Sequence, residues 1–209
     1  PDEKTWIGYH DPNITHLPFP YPWDAPSHNL DGAALFEKHL DGLATRGVAL
    51  ADIAAMVIES FQGWGSIFYP DGYIPAMAAF CRDNDSLLIC DEIQAGFGRT
   101  GKLFAYEHYG VEPDVVVCGK AVSTGFPLSI VMSRAELIDL DPTYTSTHGG
   151  HPMACAAGLA TLEAFEQLDL VNEARRKETV FTEAFDRLKA KYPMRIKQTL
   201  GKGMVHAVF

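Results

Sequence analysis

Four short apolar runs, separated by helix-length segments, constrain the fold of this chain more than any other feature. They are Ala54-Ala55-Met56-Val57-Ile58-Glu59, Ser86-Leu87-Leu88-Ile89-Cys90-Asp91-Glu92, Asp114-Val115-Val116-Val117-Cys118 and Pro127-Leu128-Ser129-Ile130-Val131-Met132. Each has strand length, and its apolar residues run on without alternating with polar ones. Such runs suit strands covered on both faces, so the pattern predicts an α/β fold with a mostly parallel sheet and flanking helices. Tyr73 to Asp83 reads as a helix between the first two strands. Another helix is expected from the N-cap Asp31 to about Thr45. Pro152 to Glu166 is Ala-rich and helical, with Pro152 in the first turn, where its missing N–H costs nothing. Leu170 to Tyr192 carries an apolar stripe of Val171, Ala174, Phe181, Phe185 and Leu188, and Pro193 stops it. A strand-like end follows, with Gly201 and Gly203 marking a turn. Five prolines between Pro12 and Pro26 forbid a continuous helix or central strand there.

Composition excludes several functions. The 209 residues hold 27 acidic against 17 basic side chains, a net charge of -10. No Lys/Arg cluster stands out, which argues against nucleic acid and against an anionic membrane surface as partners. No run approaches the ~20 apolar residues of a membrane-spanning helix. Cys81, Cys90, Cys118 and Cys155 form no C-x-x-C pair, and they read as reduced thiols in a reducing, cytoplasmic compartment. The chain opens without Met and breaks off in a strand-like run, as a piece of a longer polypeptide would.

Chemistry gathers where the strands end. In an open α/β sheet, ligands sit beyond the carboxyl ends of strands. Glu59, the pair Asp91-Glu92, and Lys120 occupy such ends. Glycines flank Lys120 in Gly119-Lys120-Ala121-Val122-Ser123-Thr124-Gly125 and let a bulky ligand approach the backbone. A Lys on such a turn is expected to be partly desolvated, which favours the neutral amine and attack on a carbonyl. If a pyridine ring lies between Lys120 and Asp91, the carboxylate keeps its nitrogen protonated and the ring acts as an electron sink.

Three blocks carry a specific resemblance. Asp91-Glu92-Ile93-Gln94-Ala95-Gly96-Phe97-Gly98-Arg99-Thr100-Gly101-Lys102 resembles the signature of class III (omega-type) aminotransferases, pyridoxal-phosphate (PLP) enzymes of fold type I. Gly110-Val111-Glu112-Pro113-Asp114 followed by Gly119-Lys120 is similar to that family at matching spacing. So is Thr147-His148-Gly149-Gly150-His151-Pro152-Met153-Ala154-Cys155-Ala156-Ala157. The match covers the chain from about Ile53 to its end.

The resemblance implies a fold: a three-layer sandwich with a mostly parallel sheet over 1–166, part of the PLP-binding large domain. The start of a small α+β C-terminal domain would follow over 167–209. It also implies roles. Lys120 would be the Schiff-base lysine and proton shuttle, and Asp91 the partner of the ring nitrogen. Ile93 would pack on one ring face. Gln94 would hydrogen-bond near the ring hydroxyl, and Glu59, before Gly63-Trp64-Gly65, would line the site. Thr147 would reach the cofactor phosphate of a neighbouring subunit, which implies a homodimer with shared active sites. The partners would then be a small amino donor and a keto-acid or aldehyde acceptor.

The chain departs from the family in two places. His151 stands where the family has Asn. The Gly/Ser-rich phosphate loop, the ring-stacking aromatic and the carboxylate-binding arginine are not found in this sequence; Tyr9-His10 matches the aromatic motif only superficially.

Other residues have plainer explanations. Arg99 is expected to pair with a nearby carboxylate. His148, His151 and Cys155 lack a fourth ligand, so no metal is expected. His10, His16 and His28 are scattered and read as surface or structural residues. Trp64 and Tyr69 suit either a substrate channel or packing. An amino-acid racemase or epimerase on the same scaffold is the alternative to amino-group transfer, suggested by Glu59 to Gly63 and Ser146 to His148. A non-catalytic dimerisation module is the alternative of another class.

Overall fold

The structure is a computed structural model that describes residues 11–24, 31–139, 143 and 146–209. Tyr9, His10 and His28 lie outside the described residues.

In chain order, the main elements begin with α1 (Gly32–Thr45), β1 (Ala55–Glu59), α2 (Tyr73–Asp83), β2 (Leu87–Asp91), β3 (Val115–Cys118) and β4 (Ile130–Ser133). A short helix α3 (Ala135–Ile138) leads on to α4 (Pro152–Gln167) and α5 (Leu170–Lys191), and a hairpin of β5 (Thr199–Lys202) and β6 (Val205–Val208) follows. The helices begin where their caps direct. Asp31 accepts the Ala34 amide at 2.8 Å to start α1. His151 caps α4 through Nδ1, which accepts the Met153 amide at 3.3 Å. The His that replaces the family's Asn therefore keeps a hydrogen-bonding role at the helix start.

β1 to β4 form one sheet in sequence order. β1 and β2 are parallel, as are β2 and β3, and β4 returns antiparallel to β3. β4 starts later than expected because Pro127 cannot donate to a ladder, and Ser123 ties down the Phe126 carbonyl in a turn. Alternation then fixes two faces. Met56, Ile58, Leu88 and Cys90 point to one side and pack with Leu35, Phe36, Tyr73, Ile74, Met77 and Cys81 of α1 and α2. Each large side chain so buried contributes about 1.5–3 kcal/mol. Val116 and Cys118 continue this face under Phe97, Val122 and Phe165.

The opposite face is the barer one, with Ile89, Val115 and Val117 only half-buried. Val57 is 67% exposed, although its neighbours Met56 and Ile58 are buried. The expectation of cover on both faces is therefore met on one face only among the described residues. An apolar run shows that a strand is destined for burial, but not which segment buries it.

The C-terminal hairpin docks back on the loop that follows β2, at residues 99–101. Met204 donates its amide to the Arg99 carbonyl at 2.7 Å. Gly203 sits so close that a Cβ there would stand 2.4 Å from the Thr100 carbonyl carbon.

Candidate active site

Parallel register brings the strand-end carboxylates together. Glu59 pairs with Asp91, and Asp91 pairs with Val117. By alternation both carboxylates stand on the barer face with Val57. The Oδ1 atom of Asp91 accepts the Ile93 amide at 2.9 Å. Oδ2 of this half-buried carboxylate has no hydrogen-bond partner among the described residues, which leaves one acceptor unused.

Gly119 links this carboxylate to the lysine. A Cβ at Gly119 would lie 3.2 Å from Cγ2 of Ile93. The backbone just before Lys120 therefore rests on the Ile93 side chain, and a Cβ there would require Ile93 to give by a few tenths of an ångström. Lys120 follows with φ 46, a left-handed conformation that a non-glycine residue adopts at a cost of about 1–3 kcal/mol. Phe97 and Thr124, on the neighbouring loops, are left-handed as well, at φ 57 and 51. Strain of this kind collects at sites where a side chain must be aimed. Lys120 is exposed, so the desolvation expected at its turn is not supplied among the described residues.

Gln94 packs on the turn after β1: its Oε1 would lie 2.7 Å from a Cβ at Gly63. Glu59 and Asp91 are thus register partners, Gln94 touches the turn after β1, and Lys120 is joined to Ile93 through Gly119. Thr147 is not among them. It lies exposed in the turn before α4.

Glu92 has a different place from its neighbour. Its side chain is fully buried and accepts the Ser60 hydroxyl, the Ala105 amide at 2.9 Å and the Tyr106 amide at 3.0 Å. Tyr109 extends the network by donating to the Ser60 carbonyl at 2.6 Å and accepting the Tyr69 amide at 3.2 Å. Burial raises the Glu92 pKa, and the Ser60, Ala105 and Tyr106 hydrogen bonds oppose the rise. This inner carboxylate anchors β1, β2 and the 3-10 turn Ala105–Tyr109 behind the site. Alternation could have revealed it, since consecutive strand residues face opposite sides, but the sequence grouped Asp91 and Glu92 as one feature.

A cavity of about 650 Å³ also borders Lys120, lined by Phe97, Arg99, Phe165, Glu173 and Lys177 among others. It touches none of Asp91, Ile93, Gln94 and Glu59. Its Phe97 and Phe165 pack with Val116 and Cys118 on the helix-covered face, whereas Asp91 stands on the other. The chemistry follows the carboxylates, so the open face is the better candidate. The Arg99 side chain has no carboxylate partner among the described residues, contrary to expectation; only its carbonyl is engaged, by Met204.

No group of three or more His, Cys, Asp or Glu side chains is placed to hold a metal ion among the described residues. No helix among them is long and apolar enough to cross a membrane.

The sequence model described as Aminotransferase class-III matches residues 2–209. The chain belongs to this family. Among relatives of the class III chain, the 4-aminobutyrate aminotransferase of Mycobacterium tuberculosis (strain ATCC 25618 / H37Rv) is 36% identical over 214 residues, covering 98% of this chain and 47% of that protein. A solved (S)-enantioselective omega-transaminase from Thermomicrobium roseum superposes with a TM-score of 0.84 at 32% identity, over 97% of this chain and 47% of that one. The ornithine aminotransferase of Toxoplasma gondii gives a TM-score of 0.74 at 37% identity, over 86% and 41%. The class III chain thus has the mostly parallel α/β sheet of the PLP-dependent transferases. It spans about half the length of the curated relatives it matches.

Proposed function

We propose that the protein carrying this chain is a PLP-dependent aminotransferase, moving an amino group from an amine or amino acid to a keto acid or aldehyde. The observation that carries this is the continuity of Asp91, Ile93, Gly119 and Lys120: a carboxylate with one oxygen unpartnered among the described residues, an apolar side chain beneath Gly119, and a lysine on the strained turn that follows. These residues fit the cofactor. Gly119 leaves a close approach that a Cβ would fill, and Asp91 offers an acceptor on an open face. When bound, PLP supplies an electron sink for the substrate's α-carbon electrons.

Asp91 would hold a proton on the ring nitrogen. Ile93 would bear on one ring face, and Gln94 and Glu59 would orient the ring edge. Lys120 would carry the cofactor and, once displaced by substrate, move a proton at its Nζ. Thr147, exposed in its turn, would meet the phosphate of a neighbouring subunit, which makes the protein a homodimer with shared sites. Residues 1–166 would belong to the cofactor domain and 167–209 would begin the small domain. The buried free thiols Cys81, Cys90 and Cys118 suit a cytoplasmic setting. Relatives named as aminotransferases favour transfer over racemisation.

The test uses the full-length protein. Borohydride reduction followed by peptide mapping should leave the cofactor on Lys120, and an amino donor alone should convert the bound aldehyde form to the amine form. Inversion of the donor's α-carbon with the aldehyde form retained would replace transfer by racemisation. No adduct at Lys120 would remove the enzyme function altogether.

A further inference from the structure

Behind the site's carboxylates stands a second row of polar groups that the proposed chemistry does not use. The register of β1 with β2 ends at the pair Glu59 and Asp91. One residue further on in each strand are Ser60 and Glu92, both fully buried. The Ser60 hydroxyl donates to Oε1 of Glu92. A side-chain bond therefore joins the two strand ends just past their last ladder pair. The Glu92 backbone turns to β3 instead, where its amide donates to the Val117 carbonyl at 2.8 Å.

Each member of this inner pair is fixed from a second direction. The Ser60 carbonyl accepts the Tyr109 hydroxyl at 2.6 Å. Glu92 also accepts the Tyr106 amide on Oε1 at 3.0 Å and the Ala105 amide on Oε2 at 2.9 Å. All three donors to the turn side belong to Ala105–Tyr109, so one 3-10 turn braces both strand ends. Neither Asp91 nor Glu92 forms an ion pair among the described residues.

We propose that Ser60 is a positioning residue for the cofactor's ring nitrogen: through Glu92 it fixes the direction in which Asp91 presents its unpartnered oxygen. The inference rests on the aminotransferase function proposed above. Its warrant is adjacency in the chain and in the register. Asp91 is tied by one oxygen, to the Ile93 amide at 2.9 Å. A carboxylate held by a single hydrogen bond swivels about it unless its backbone is locked. Here the lock is on the inner side, because Glu92 is the next residue and points to the opposite face. Without the Ser60 hydroxyl, Glu92 keeps its two turn amides and its backbone bond to β3 but loses its link to β1. The end of β2 can then move relative to Glu59. A binding constellation tolerates displacements of only about 0.5 Å, and a charge-assisted hydrogen bond to a ring N–H weakens with distance and angle.

The experiment uses the full-length holoenzyme and its Ser60→Ala, Ser60→Thr and Tyr109→Phe variants, with folding checked by circular dichroism. The protein is loaded with PLP isotopically labelled at the ring nitrogen, and the NMR shift of that nitrogen is followed against pH. In Ser60→Ala the midpoint at which the nitrogen loses its proton should fall by about half to one pH unit, the scale of one hydrogen bond. The PLP dissociation constant should rise about threefold to tenfold. Ser60→Thr keeps the hydroxyl and should recover most of both. Tyr109→Phe releases the Ser60 carbonyl by a separate route, so it should move both readouts in the same direction and keeps the test open if Ser60→Ala does not fold. A purely structural Ser60 would lower the denaturation midpoint and leave the ring-nitrogen midpoint at the wild-type value in every folded variant, and that result would overturn the inference alone. A wild type that takes up no PLP on Lys120 would remove the function and this inference together.

Discussion

The Glu92 carboxylate accepts the Ala105 amide at 2.9 Å inside the protein, while Asp91, its neighbour in the chain, stands on the barer face of the sheet. One strand end thus provides a structural anion behind the sheet and a chemical one in front of it. Glu92→Ala would leave the Ser60 hydroxyl and the Ala105 and Tyr106 amides without their acceptor. At about 1–3 kcal/mol for each unsatisfied group, the loss should be roughly 3 kcal/mol or more in chemical denaturation of the full-length protein. A loss below about 1 kcal/mol would contradict the anchoring role.

Burial also gives Glu92 a pH signature. Its folded pKa is raised above the ordinary 4.5, so the folded state holds the proton more tightly than the unfolded state. The associated stability is fully present below 4.5 and is lost as pH rises through the raised folded value. Stability measured against pH in the wild type and in Glu92→Gln should differ by this slope, and parallel profiles would refute it.

Gly119 should be sensitive to substitution because of Ile93 and not because of its backbone. Its φ of -167° is open to any residue, and only the 3.2 Å approach to Cγ2 of Ile93 stands in the way. Gly119→Ala should change stability by less than about 1.5 kcal/mol. It should weaken PLP binding several-fold in a spectrophotometric titration, because Ile93 must shift beneath the ring. Unchanged affinity would separate Gly119 from the site.

Gly203 should behave differently from Gly110, although both have positive φ, at 58 and 64. A Cβ at Gly110 meets nothing within 4 Å, whereas at Gly203 it strikes the backbone of Thr100 at 2.4 Å. Gly110→Ala should show backbone strain alone, about 1 kcal/mol. Gly203→Ala should cost more and speed amide exchange in β5, β6 and residues 99–101. Equal effects would mean that the hairpin does not dock on that loop.

The cysteines should divide by burial. Cys81, Cys90 and Cys118 are buried and Cys155 is exposed. Burial pushes the thiol pKa up to about 11 for Cys81 and Cys118 and about 12 for Cys90. Iodoacetamide at pH 8, followed by peptide mapping, should label Cys155 in the folded protein and all four in denaturant. Labelling of Cys90 without denaturant would show that the layer beneath β2 opens.

The sequence was most legible where the physics is local. The α2 helix runs over Tyr73–Asp83 as its pattern predicts, and α4 and α5 end within a residue of expectation. Caps and prolines act on the nearest turn, so Asp31, Pro152 and Pro193 mark their boundaries without help from the rest of the fold. β4 was placed less well because a ladder is made with a distant partner, and its antiparallel direction leaves no trace in its own residues.

Of the candidate site, the strand ends picked out Glu59, Asp91 and Lys120, while Ile93 and Gln94 entered only through the family that the three sequence blocks resemble. Tertiary structure decided what these residues touch. Parallel register set Glu59 beside Asp91 and sent Glu92 to the interior, because successive side chains on a strand point to opposite faces. Folding laid Gly119 on Ile93 and Trp64 among rings from both ends of the chain, contacts between segments far apart in sequence. Local sequence fixes the local conformational preference of a segment. Which segments then meet depends on burying apolar surface across the whole chain, and that is settled only when the fold closes.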